Sequence, residues 1–210
     1  MDIADGLIQY LMLIALLTFH EFAHAWTGMK CGDDTARLQG RISLNPIDHI
    51  DPIGTVVLPL LMIFMPGAGR FLIGWAKPVP FNPHNLNNRW RDEMLIAMAG
   101  PAMNLVLAVA LVALVRVMQI FHYDGVAELF KQAAALSLLL CFFNLIPVPP
   151  LDGSHVLRNL SGMSYDAYAN FARFGFIIVI VLLQIPPVRG LLALTTYGTL
   201  GILVRIFGVS

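Results

Sequence analysis

His20-Glu21-Phe22-Ala23-His24 sets two imidazoles four residues apart, with a carboxyl beside the first. On a helix this spacing puts both rings on one face, one turn apart, where both reach a single ion. Glu21 is rotated by about 100° from His20, so it approaches a metal-held water rather than the metal. HExxH alone is a loose pattern, and its setting sharpens it. The five residues lie within an apolar run, and each ionisable group near a bilayer centre costs about 2.5–3.5 kcal/mol on insertion scales. Three such groups so close together need a partner, and a divalent cation supplies one. The bland alternative is a polar helix face lining an aqueous cavity.

A structural tetrahedral zinc site takes four protein ligands, whereas a catalytic one keeps a position open. The third ligand expected is therefore a His, Asp or Glu in another helix or close to its end. Asp152 is the best candidate, in Asn144-Leu145-Ile146-Pro147-Val148-Pro149-Pro150-Leu151-Asp152-Gly153. The prolines break the helix after Ile146 and force an extended path that Gly153 turns. Taken alone, Leu-Asp-Gly also reads as an ordinary turn at a helix end. Charge balance favours the metal reading: Zn²⁺, Asp152 and Glu21 sum to zero with both histidines neutral, and a neutral cluster is far cheaper to bury than its parts. One zinc ion per chain is expected. Glu21 would take a proton from water and return it to the amine released from a cleaved peptide bond.

The surrounding elements belong in a membrane. Of the 210 residues 58% are hydrophobic and 12% charged, with mean hydropathy +0.74, against about a quarter charged in a soluble domain. The net charge is zero, so there is no basic surface for nucleic acid. Segments 7–29, 94–118, 128–146, 167–186 and 189–208 are each close to the length of about 20 residues that crosses a bilayer. A sixth apolar stretch, Ile53–Met65, has only 13 residues and suits a re-entrant segment. Gly74, Pro78 and Pro80 oppose a helix over residues 70–80, where aromatic and β-branched residues favour extended chain, so one or two short membrane-embedded β-strands are expected. The acidic start, Met1-Asp2-Ile3-Ala4-Asp5, is unlike a signal peptide, and the first helix reads as retained. Cys31 and Cys141 make no disulfide framework. The fold class expected is an all-α membrane protein of five to six transmembrane helices, as a single domain over residues 1–210.

The metal constrains the topology. For one ion to bind His24 and Asp152, the C-terminal ends of the first helix and of helix 128–146 must face the same side. Two intervening crossings restore the side, so Ile53–Met65 should not cross. On the zinc side lie Lys30, Arg37, Arg41, Arg70, Lys77, Arg89, Arg91 and Arg158, against Arg116, Lys131 and Arg189 opposite. This excess places the active-site side in the cytoplasm and the N-terminus outside a cell membrane.

HEFAH, Gly100-Pro101-Ala102-Met103-Asn104 (a GPxxN pattern) and NLIPVPPLDG together closely resemble the paired motifs of the site-2 protease family of intramembrane zinc metalloproteases. Arg41–Gly54 and Gly74–Pro80 resemble stretches of its small members. The resemblance covers nearly the whole chain, without the PDZ or CBS domains of some relatives. It implies that His20, His24 and Asp152 ligate zinc and that Glu21 is the base. It further implies that Asn144 contacts substrate or the developing oxyanion, that Asn104 shapes the core, and that the substrate is another protein's transmembrane segment. Both asparagines also suit plain interhelical hydrogen bonds. A metal-ion transporter and a catalytically silent zinc-binding membrane protein are the rival readings. His49 and His84 are expected in solvated loops and His122 at a solvated helix boundary, while His155, three residues past Asp152, suits a supporting role.

Overall fold

The structure, a computed structural model, describes residues 2–65 and 74–209. The backbone forms two compact units, Met1–Arg89 and Trp90–Ser210. Among the described residues every regular element is helical.

In the first unit the long helix α1, Ile3–Lys30, carries Asp5 in its first turn and Lys30 in its last, each charge complementing the helix dipole. It ends at Cys31, and Gly32 takes φ +101°, where a side chain would be strained. Asp33 then fixes the exit. Its carboxylate accepts from the Thr35 amide and hydroxyl, from the Asn82 amide at 2.6 Å and from Asn85 Nδ2 at 2.9 Å. Burial pushes this carboxyl up, but those hydrogen bonds together hold it below the ordinary aspartate value. After the short helix α2, Thr35–Leu38, and a 3-10 turn at Pro46–His49, Asp51 caps a wide π-type turn, Pro52–Val57, by accepting from the amides of Ile53 and Gly54. Helix α3, Leu58–Phe64, continues it. At about 1.5 Å per residue, the 13 residues of Pro52–Phe64 reach about 20 Å, well short of a hydrocarbon core of about 30 Å.

The second unit is built on helices α4, Arg89–Ile120, and α5, Asp124–Asn144, followed by α6, Gly153–Ser161, α7, Tyr165–Ala172, α8, Gly175–Gln184, and α9, Pro186–Ile206. Ala108, Val112 and Val115 of α4, Ala127, Ala134 and Leu138 of α5, and Leu200 of α9 make one buried cluster. The small residues let the helices approach closely, which is how helices associate where lipid competes for apolar contact. Pro101 sits inside α4; its missing amide is tolerated where neighbouring helices satisfy the freed backbone.

By length and composition α1, α4, α5 and α9 can each cross a membrane, and α7 with α8 makes a fifth span if counted together. The expectation of a multi-pass helical membrane protein holds. One segment differs: 167–186 is not a single straight helix, because α7 and α8 meet at a 55° bend. The reason lies at Gly175, where a Cβ would run into the carbonyl of Pro149, so the chain turns there to pack closely on the proline loop.

The strands expected at 70–80 fall partly outside the described residues, and the described part, 74–80, forms none. Pro78 and Pro80 offer no amide to a ladder. The backbone is instead held one bond at a time, by Trp75 N donating to Gly54 O at 3.2 Å and Lys77 N to His49 O at 2.9 Å. Arg41, 5% exposed, donates its guanidinium to the carbonyls of Lys77 and Pro78.

Candidate metal centre

The apolar helix α1 buries His20 and His24, at 4% and 8% exposure, and leaves Glu21 half-buried. The two Nε2 atoms lie 3.0 Å apart, with the rings edge-on and their centroids 4.7 Å apart. Zinc–nitrogen bonds of about 2.0–2.1 Å at a tetrahedral angle separate two ligand nitrogens by about 3.3 Å. The observed convergence of two Nε2 atoms fits a shared zinc ion closely. A pair of buried aromatic side chains has no need to bring its nitrogens together in this way.

Asp152 belongs to the second unit. It is half-buried and forms the N-cap of α6, with φ −58° and ψ −37°. The loop that carries it folds tightly back. A Cβ at Gly153 would meet the carbonyls of Leu145 and Ile146, so only glycine lets the chain turn here. Asn144 is the last residue of α5 and donates Nδ2 to Leu140 O at 3.0 Å, which leaves its second amide hydrogen to serve elsewhere. Asn104 is fully buried in α4, and its backbone carbonyl accepts from Ser137 Oγ of α5 at 2.7 Å.

The sequence model of Peptidase family M50 matches residues 8–124 and 117–184. The chain belongs to Peptidase family M50. This is the site-2 protease family, whose motifs HEFAH, GPAMN and NLIPVPPLDG resemble. The M50 chain is 37% identical over 191 residues to "Putative zinc metalloprotease YwhC" of Bacillus subtilis, covering 86% of this chain and 83% of that protein. It is 36% identical over 182 residues to "Putative zinc metalloprotease Rip2" of Mycolicibacterium smegmatis, covering 82% of this chain and 65% of the relative. To the protein of the same name in Mycobacterium tuberculosis strain H37Rv it is 33% identical over 180 residues, covering 83% and 65%. The chain thus spans about two thirds of the length of the Rip2 proteins. No solved structure matches it.

Several residues of this M50 chain have places that sequence reasoning missed. His49, expected in solvent, is 2% exposed. Its Nε2 lies 2.8 Å from Ser43 O, and since a carbonyl only accepts, Nε2 carries the hydrogen. The Asn-Pro-Ile-Asp turn before it was the available signal. His84 is exposed, as expected, and so is His122. In the second unit Arg158 of α6 pairs with Glu93 of α4, both nearly fully buried, and its guanidinium lies 4.0 Å from the Tyr165 ring centroid. Tyr165 also donates its hydroxyl to Glu93. A Glu and an Arg flanking apolar segments could have been flagged, because such charges need partners.

Proposed function

We propose that this chain is a zinc-dependent intramembrane endopeptidase that hydrolyses peptide bonds in or near transmembrane segments of other membrane proteins. The observation that carries the reading is the convergence of His20 and His24 Nε2, with Glu21 one residue on, in an apolar helix of an M50 chain. The relatives' names, each "Putative zinc metalloprotease", support the same chemistry.

In this reading His20, His24 and Asp152 hold one zinc ion per chain. Zinc bound there supplies Lewis acidity, polarising an oxygen and lowering the pKa of water to about 7. Glu21 accepts a proton from water at its carboxylate and passes it to the departing amine nitrogen. Asn144 donates its free amide hydrogen to substrate or to the developing oxyanion, and Asn104 holds α4 and α5 in register. A helical substrate hides its carbonyls in hydrogen bonds, so it must unwind before it is cut. Pro52–Phe64 is re-entrant, the N-terminus lies outside the cell membrane, and the site opens to the cytoplasmic side.

The test is zinc analysis of the purified chain together with cleavage of a model transmembrane segment in liposomes by the parent and by Glu21→Gln. Zinc in both proteins with cleavage only by the parent supports the reading. Zinc with no cleavage by either marks a silent binding protein, and zinc flux across the liposomes marks a transporter.

A further inference from the structure

We infer that Tyr168 is a positioning residue for Asp152, and that the bent α7–α8 pair is the outer support of the turn that carries this carboxylate. The inference rests on Asp152 being the third zinc ligand.

The Tyr168 hydroxyl touches the two residues that follow the Asp152-Gly153 turn. It lies 2.9 Å from Ser154 Oγ and 3.2 Å from His155 Nε2, with the His155 and Tyr168 rings 5.1 Å apart. Ser154 Oγ in turn lies 2.6 Å from Leu151 O, the residue before Asp152. The hydrogens can be assigned. A carbonyl only accepts, so the one Ser154 hydrogen goes to Leu151. Ser154 Oγ must then accept from Tyr168, and the Tyr168 oxygen accepts from His155 Nε2–H. Each contact has one donor and one acceptor. The reverse choice, Tyr168 donating to His155, would leave two oxygens 2.9 Å apart with no hydrogen between them. The chain His155–Tyr168–Ser154–Leu151 therefore runs in one direction and brackets Asp152 from both sides.

A second observation comes from the same pair of helices. Gly175, at the start of α8, packs against the backbone of Pro149, with no room for a Cβ. Helix α7 thus holds the far side of the Asp152 turn, and α8 holds the proline loop that leads into it. Helix α7 buries none of its own residues, so apolar packing alone does not explain why it lies there. Its polar contacts run to α6 and α4. A ligand must be held within about 0.5 Å for a site to work, and loss of a supporting hydrogen bond typically weakens metal binding by about 10–100-fold.

The experiment measures zinc affinity by chelator competition on the full chain in detergent, with kcat, KM and the unfolding midpoint recorded for each variant. Tyr168→Phe keeps the ring and loses only the hydroxyl. It should bind zinc about tenfold more weakly and lower kcat with KM little changed. Ser154→Ala should do the same, and the double variant should be no worse than either alone. Tyr165→Phe, which removes from the same helix the hydroxyl that serves Glu93, should bind zinc like the parent. If Tyr168→Phe and Ser154→Ala both bind zinc like the parent while Asp152→Ala loses it, the support role is wrong and the ligand assignment stands. If Asp152→Ala itself keeps parent affinity, the ligand assignment falls and this inference falls with it. Should Tyr168→Phe fail to fold, Ser154→Ala alone decides.

Discussion

His20 Nε2 and His24 Nε2 face each other at 3.0 Å on the buried side of α1. Two imidazoles that both carry their hydrogen on Nδ1 turn two Nε2 lone pairs towards each other, an arrangement suited to a shared cation. His20→Ala, His24→Ala and Asp152→Ala are each expected to lose zinc, since the ligands left cannot offset dehydration of the ion. Elemental analysis of purified variants checks this. Full occupancy in Asp152→Ala would show that the third ligand lies elsewhere.

Glu21→Gln should retain zinc and the fold while losing proteolysis. Glutamine has nearly the same shape but accepts no proton at neutral pH, and general-base help amounts to about 10²–10⁴-fold. The measurement is single-turnover cleavage by the zinc-loaded variant. A rate near the parent's would remove Glu21 from the mechanism.

Asp33 ties the end of α1 to residues 82–85 through its carboxylate. Its pKa is lowered in the folded chain, so the stability it contributes is present above the ordinary aspartate value of about 3.9. That contribution is lost as pH falls through the lower, folded value. Asp33→Ala should cost about 1.5–3 kcal/mol at neutral pH, the range for hydrogen bonds to a charged group. Thermal unfolding from pH 7 down to pH 2 should show the gap between parent and variant closing in the acid range. A gap that is constant with pH would refute the carboxylate's role.

The Glu93–Arg158 pair is buried on both sides. Arg158→Met takes the cation away from the buried Glu93 carboxylate and should destabilise by about 3–5 kcal/mol. Adding Glu93→Gln removes that charge, so the double variant should be less destabilised than the sum of the singles. Denaturant unfolding of the four proteins measures the coupling, and strict additivity would mean the pair does not act as one.

Orientation can be read with thiol labelling. In a background lacking Cys31 and Cys141, cysteines in place of Gln39 and Asn88 should label from the same, cytoplasmic side. Both positions are exposed. Labelling from opposite sides would mean that Pro52–Phe64 crosses the membrane.

Residue order alone determined the parts of this protein that depend on local spacing. Four-residue separation on a 3.6-residue helix brings His20 and His24 onto one face whatever surrounds them. The lengths of the apolar runs likewise located α1, α4, α5 and α9, because the hydrocarbon thickness sets how many residues a span needs. Three prolines in a row of ten residues announced the break before Asp152. What only tertiary structure decided rests on contacts between distant residues. The path of 74–80 depends on Gly54, His49 and Arg41, none of which can be read from the extended propensity of the segment itself. The bend between α7 and α8 lies where Gly175 meets Pro149, a contact between distant residues that the composition of 167–186 does not show. His49 reads as a loop residue until the fold buries it, and no motif marks Tyr168 until α7 sets its hydroxyl beside Ser154 and His155. Periodicity encodes which face a residue occupies, but which partner meets that face is decided when the chain folds back on itself.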